Sequence, residues 1–126
     1  MWWVRSYLQY YIEWLLKFLL DNSESMKKDD RWESLMTTLK RVAQFALELN
    51  PTGISLRLLN GADKGKELDH LTAENIEIKV KDVKVGGPTN LGSELKKRIL
   101  EPMVYQMAET RDKPLLVAII TDGEVR

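Results

Sequence analysis

Five oxygen-bearing side chains stand where their types and spacing could do chemistry. They are Asp21, Ser23, Ser25, Thr89 and Asp122. The first three alternate directly after the apolar run "LLKFLL", the fourth follows a Gly-Gly-Pro turn, and the fifth follows "LLVAII". Two carboxylates and three hydroxyls suit a hard cation such as Mg²⁺, which takes oxygen ligands and keeps several waters. With only two anions near it, the cation would accept a further anionic ligand, such as a carboxylate on another protein.

Each of these residues also has a simpler explanation when it is taken alone. Asp and Ser are favoured in loops and at helix N-caps, so the alternating triplet is compatible with a polar turn. Thr89 is compatible with a cap on the helix that follows it, and Asp122 with a turn residue before Gly123. The metal-site interpretation therefore depends on a fold that brings the three stretches together.

The elements that must position these residues are short apolar strands alternating with amphipathic helices. Strands are predicted at 15–20, 54–59 and 113–120, and helices at about 32–49 and 91–107. In the second helix, Pro102 should cause a kink or a break. Its inward positions are predicted to be Leu95, Ile99, Leu100, Met103 and Met107. The run "KPLLVAII" is predicted to be the most buried strand because it is continuously apolar.

The stretch "ENIEIKVKDVKV" is ambiguous. Its alternation at Ile76, Ile78 and Val80 indicates a strand, whereas Val80 and Val83 also fit one face of a short helix. Either way, the order of elements predicts an α/β fold, with a Rossmann-like, mostly parallel sheet flanked by helices. In such sheets ligands bind outside the carboxyl ends of the strands, where the candidate residues fall.

Composition excludes several kinds of site. The 126 residues contain no cysteine and one histidine, His70, so thiol catalysis, zinc–thiolate sites and histidine-rich metal sites are ruled out. His70 lies in a charged loop and is expected to be solvated. Nineteen basic residues balance nineteen acidic ones, which gives no indication of nucleic acid as a partner. No apolar run is long enough for a transmembrane helix, and the absence of cysteine fits a cytoplasmic, reducing location.

The segments "FLLDNSESM", "GGPTNLGSEL" and "LLVAIITDGE", in this order, resemble the three segments of the metal-ion-dependent adhesion site (MIDAS) of von Willebrand factor A (vWA) domains. The flanking text, with "ILEP" and "KPLLVAIITDGE", is similar to the intracellular-type vWA proteins of fungi. The D-x-S-x-S motif falls on Asp21, Ser23 and Ser25, the distant threonine on Thr89, and the last aspartate on Asp122.

The resemblance implies a function that needs no reaction. In vWA domains the serines and the threonine ligate Mg²⁺ or Mn²⁺, the aspartates bind directly or through water, and a partner protein's carboxylate completes the coordination. We therefore expect a cation-dependent protein-interaction module rather than an enzyme. Two departures stand out: Glu24 replaces the usual glycine between the serines, and the sequence stops at Arg126, where a complete vWA domain continues with further strands and helices.

The expected organisation is an apolar and aromatic N-terminal extension at 1–14, followed by a C-terminally truncated vWA domain at 15–126. The extension is expected to pack on the core, with an interfacial helix as the alternative. An uncovered edge on the last strand would favour self-association. Two functional alternatives are a Mg²⁺-dependent phosphoryl-transfer enzyme at the same strand ends and a non-functional fragment.

Overall fold

The computed structural model describes residues 14–61, 68–105 and 114–124. Three parallel strands form one sheet in the order β2-β1-β3: β1 is Leu15–Leu20, β2 is Ser55–Leu58 and β3 is Leu115–Ile120. Lys17 of β1 pairs with Ser55 on one side, and Leu20 pairs with Ile120 on the other. The chain is therefore α/β with a small, open parallel sheet, as the alternation of strands and helices predicts.

Helices connect these strands. In chain order they are a 3₁₀ turn at Glu24–Lys27, α1 at Arg31–Leu49, α2 at Ile76–Val80, α3 at Leu91–Leu95, and a π-helix at Lys96–Tyr105. The predicted strand 15–20 and the helix predicted at 32–49 are confirmed, the latter to within one residue. The predicted strand 54–59 is also confirmed, although Ile54 forms only an isolated antiparallel bridge with Leu71.

The central strand β1 is buried on both faces because successive side chains of a strand point to opposite sides. Leu16 and Leu20 belong to the larger core cluster with the buried side of α1. Leu19 belongs to a second cluster with Ile99 of the π-helix. Helices consequently cover both faces of the sheet, which requires a near-continuous apolar run in the strand between them.

Helix α1 buries one stripe of small and apolar side chains against the sheet. Leu35, Leu39, Ala43 and Ala46 are each less than 5% exposed and recur at the i, i+4, i+8 and i+11 spacing of one helix face. Asn50 ends the helix: its side chain donates to the Trp14 carbonyl and accepts from the Thr52 amide and hydroxyl. This turn directs the chain back into β2.

The segment around α2 is a helix, so the strand suggested by its alternation is wrong and the helical alternative is confirmed. Ile76 and Val80, four residues apart, are buried on the core, whereas Ile78 is 70% exposed. A strand would have placed Ile76, Ile78 and Val80 on the same face. The Thr72–Asn75 turn starts the helix, since the Asn75 side chain accepts the Thr72 amide.

The prediction that "LLVAII" is the most buried strand is also wrong. Among the described residues β3 lies at the edge of the sheet, and Leu116 and Ile119 are 43% and 40% exposed. The central strand is β1, whose Leu19 and Leu20 are fully buried. A continuous apolar run shows that both faces of a strand are apolar, but it cannot distinguish the centre of a sheet from its edge.

The second predicted helix is divided, as Pro102 suggested, but by a change of helix type. Helix α3 passes directly into the π-helix, which contains Pro102. Wider turns are one way in which a chain accommodates a residue that lacks an amide hydrogen. Of the predicted inward residues, Ile99 is fully buried and Leu95 and Leu100 are half-buried. The Met103 side chain and all of Met107 lie outside the part that the structure describes.

The predicted N-terminal extension lies, except for its last residue, outside the described residues. Trp14 packs beside the larger core cluster, and its amide donates to the Leu49 carbonyl. In the ranges that the structure describes, no helix combines the length and the apolar character needed to cross a membrane.

A charged pair between Arg57 of β2 and Asp69, which follows β2 in the chain, predicts a pH dependence of stability. Arg57 donates to Asp69 Oδ1 at 3.0 Å, and their side chains are 10% and 20% exposed. Burial alone would raise the pKa of Asp69, but hydrogen bonds from Arg57 and Ser55 outweigh it and hold that pKa below its ordinary value. The pKa of Asp69 is lower in the folded state than in the unfolded state. The contribution of the pair to stability is therefore fully present above the unfolded-state pKa of about 4, and it is lost as the pH falls through the lower folded-state pKa.

We therefore expect Asp69→Asn to destabilise the protein at pH 7 and to cost progressively less below about pH 4. Urea unfolding of the wild type and the variant between pH 7 and pH 2 measures this, with the exposed Asp82→Asn as the control. A cost that is equally large at both ends of the range would contradict the assignment.

Candidate metal centre

The loops that follow β1 and β3 meet at one edge of the sheet. Parallel pairing brings the carboxyl ends of the two strands together, and the Asp21 amide donates to the Ile120 carbonyl at 2.9 Å. Asp21 and Asp122 therefore leave the sheet side by side, as predicted for ligands at strand ends.

Asp21 is 1% exposed and is hydrogen-bonded through both carboxylate oxygens. Its Oδ1 accepts the Ser23 amide at 2.9 Å and the Ser23 hydroxyl at 2.5 Å. Its Oδ2 accepts the Thr121 hydroxyl at 2.6 Å. This carboxylate is thus fixed in orientation by three donors before any ligand is present.

The two serines extend this arrangement to Asp122. Ser23 and Ser25 are 1% and 0% exposed, and their hydroxyl oxygens lie 3.5 Å apart. Ser25 Oγ donates to Asp122 Oδ2 at 2.7 Å. Four of the five predicted residues therefore form one continuous row of oxygens. The alternating spacing of the motif places both hydroxyls on the same side of the loop.

Asp122 is held as a carboxylate by its neighbours. Burial alone would raise its pKa, but hydrogen bonds from the Ser25 hydroxyl, the Glu124 amide and Arg31 keep that pKa below its ordinary value. Its Oδ1 accepts the Glu124 amide at 2.9 Å, so Asp122 also forms the local turn that the simpler explanation predicted. The turn and the contact with Ser25 use different oxygens, and both explanations hold for this residue.

Thr89 is the fifth residue, and its hydroxyl is distinctive. Thr89 is 8% exposed, and its Oγ1 is fully buried without a hydrogen-bond partner. Its loop is joined to the first loop, because the Glu24 amide donates to the Gly87 carbonyl at 2.9 Å. The residue at the N-cap of α3 is Asn90, so Thr89 does not serve as the helix cap. A buried hydroxyl without a partner calls for an explanation, and a role as a cation ligand would supply one.

Asn22 fixes the distance between the loops, a role that no pattern in the sequence indicated. It is 1% exposed, and its Nδ2 donates to the carbonyls of Asn60 and Lys84 at 2.9 and 3.0 Å. Its Oδ1 accepts the Asn60 amide at 2.8 Å. Asn60 in turn donates to the Pro88 carbonyl, directly before Thr89. Gly87 has φ +104°, and a Cβ there would come within 2.7 Å of Asn60 Oδ1, so glycine is required at this contact.

Two further side chains complete the site. Thr121 orients Asp21, and Arg31, the first residue of α1, donates to Asp122 Oδ2 at 2.8 Å. Thr121 directly precedes the predicted ligand Asp122 in the sequence, and this position could have identified it as a residue of the site. Arg31 lies in a polar loop-to-helix junction, and only the fold brings it close to Asp122.

Glu24, which lies between the two serines, turns its side chain toward solvent. Its side chain is 52% exposed and forms an ion pair with Lys27 at 3.2 Å. It therefore adds a carboxylate to the rim of the site without entering the row of oxygens.

The donor set has the chemistry of a hard-cation site. No group of three or more acidic, histidine or cysteine side chains that could hold a metal occurs in the described ranges. The set instead combines two carboxylates with three hydroxyls, all of them oxygen donors of the kind that Mg²⁺ and Mn²⁺ accept. The residues present therefore fit such an ion, with the unpartnered hydroxyl of Thr89 as the most direct indication.

Comparisons of the chain with protein-family models, with curated proteins and with solved structures found no significant match. The described residues form an α/β fold with a small parallel sheet and polar loops at its carboxyl edge.

Proposed function

We propose that this chain is a vWA-like protein-interaction module that uses a divalent cation to bind a carboxylate of a partner protein. Asp21, Ser23, Ser25, Thr89 and Asp122 would hold Mg²⁺ or Mn²⁺. The observation that carries the proposal is the buried, unpartnered hydroxyl of Thr89, whose loop is hydrogen-bonded to the loop that carries Ser23 and Ser25. The other four side chains form a continuous row.

The roles of the residues follow from their hydrogen bonds. The Ser25 hydroxyl donates a hydrogen bond to Asp122, which leaves the lone pairs of the Ser25 oxygen free for a cation. Ser23 donates to Asp21 in the same way. The two aspartates thus orient the serines and supply negative charge, while the hydroxyl oxygens and Thr89 supply direct ligands. The cation, when bound, would act as a Lewis acid toward a carboxylate from outside.

A groove beside the site offers room for a partner. It has a volume of about 260 Å³ and runs between the start of α1 and the end of β3. The groove is lined by apolar and charged side chains: Met26, Leu35, Ile120, Asp29, Arg31 and Asp122. We infer that the partner presents its acidic side chain next to apolar ones.

The phosphoryl-transfer alternative is weaker. A phosphate acceptor needs an accessible nucleophilic oxygen. Asp21 is 1% exposed, and each of its oxygens already accepts a hydrogen bond. This supports a role in orientation over a role as nucleophile, and we propose a module without catalytic turnover.

Water-proton relaxation of protein-bound Mn²⁺, titrated with N-acetylglutamate, tests the proposed function. Binding of the carboxylate should displace a metal-bound water and lower the relaxation enhancement. N-acetylglutaminamide, in which both carboxyl groups are amides, is the matched control and should have no effect. Equal responses to both compounds would contradict carboxylate recognition, and hydrolysis of p-nitrophenyl phosphate that disappears in Asp21→Ala would favour the enzyme.

A further inference from the structure

Arg31 places a positive charge on the predicted metal site. Its Nη1 donates to Asp122 Oδ2 at 2.8 Å, the same oxygen that accepts the Ser25 hydroxyl. It also approaches the Ser25 carbonyl at 3.3 Å. Neither the proposed coordination nor the core requires a cation at this point.

We propose that Arg31 is a built-in counter-cation that lowers the affinity of the site for divalent metal ions. This inference rests on the proposed function and deepens it. In the absence of metal, Arg31 neutralises one of the two carboxylates of the site. A divalent cation near Ser25 and Asp122 meets the repulsion of this guanidinium, which arginine cannot relieve by losing its proton.

Glu124 provides a second carboxylate for Arg31, so Arg31 can give up its contact with Asp122 and still keep an ion pair. Its Nη1 also lies 2.8 Å from Glu124 Oε2, while Lys28 pairs with the other oxygen of Glu124 at 3.0 Å. The Arg31 side chain is 31% exposed and borders the groove. The guanidinium can therefore shift toward Glu124 when a cation binds, so the competition is reversible.

A purely structural role makes the opposite prediction. If Arg31 only clamps the end of β3 to α1, its removal would loosen Asp122 and weaken metal binding. If it competes with the metal, its removal would strengthen metal binding even where the protein becomes less stable. The sign of the change in affinity separates the two roles.

The experiment is calorimetric titration of the full chain with Mn²⁺. Arg31→Met should bind Mn²⁺ about tenfold more tightly than the wild type, the effect of removing one partly screened charge near a divalent ion. Arg31→Gln, which keeps a donor without the charge, should show the same gain. Lys28→Met removes a neighbouring cation that does not contact Asp122, and its affinity should stay within about twofold of wild type. Unchanged or weaker binding by folded Arg31 variants would overturn the proposal.

The wild-type protein gives an independent readout. The guanidinium NMR signals of Arg31 should shift when Mg²⁺ is added, because the contact with Asp122 is weakened. Bound Mg²⁺ with no shift of these signals would overturn the role of Arg31 whatever the variants do. Absence of metal binding by the wild type and by all variants would instead refute the proposed function, so the two failures are distinguishable.

Discussion

Replacing Asn22 by alanine is expected to lower the free energy of unfolding by about 3 kcal/mol. Its side chain makes three hydrogen bonds, to the Asn60 carbonyl, the Lys84 carbonyl and the Asn60 amide. Each such bond contributes roughly 1 kcal/mol net, and the groups left behind lose their partner in a largely buried place. The change should also weaken metal binding, since Asn60 holds the carbonyl directly before Thr89.

Urea unfolding measures the first effect, and Mn²⁺ titration of the folded variant measures the second. Asn90→Ala is the matched control, because Asn90 is exposed, adjoins Thr89 and makes no side-chain cap hydrogen bond. Its effect on stability should lie within about 0.5 kcal/mol. If both substitutions had equal effects, Asn22 would not be the residue that joins the loops.

Replacing Thr89 by valine is expected to change stability and metal affinity in opposite directions. Valine has nearly the same shape but lacks the hydroxyl, which is buried without a hydrogen-bond partner. Removing such a group should raise the free energy of unfolding by about 1 kcal/mol. The same change removes a metal ligand, so affinity for Mn²⁺ should fall by at least about tenfold.

Thr89→Ser provides the control because it keeps the hydroxyl and should retain most of the affinity. Stability without metal is measured by thermal unfolding in chelator, and affinity by calorimetry. A valine variant that is less stable in chelator and binds Mn²⁺ as well as the wild type would show that the hydroxyl has no role in a metal site.

The sequence predicted those parts of the fold that depend on local patterns. The run at Leu15–Leu20 and the 3.6-residue periodicity of α1 agree with the structure because each element buries a surface fixed by its own period. Asp21, Ser23 and Ser25 follow the carboxyl end of β1 in the structure, as the sequence predicted. The short spacing in the sequence already keeps these three side chains close together. The parallel pairing of β1 with β3 brings Asp122 to the same edge of the sheet.

Other features depend on partners that the local sequence does not contain. Among the described residues β3 lies at the edge of the sheet because only β1 pairs with it. The segment of α2 is helical because this state packs both Ile76 and Val80 against the larger core cluster. The contacts of Arg31 with Asp122 and of Asn22 with Lys84 join residues 91 and 62 positions apart. Such distant polar contacts leave no periodicity or motif, so only the folded arrangement reveals them.

The most direct test of the account is Mn²⁺ binding by water-proton relaxation, comparing the wild type with the double variant Asp21→Ala, Asp122→Ala. Both carboxylates hold serine hydroxyls in the row, so their joint removal should abolish saturable binding. The account predicts one saturable Mn²⁺ site in the wild type, displaced by Mg²⁺ and absent from the double variant. Equal binding by the two proteins would contradict it.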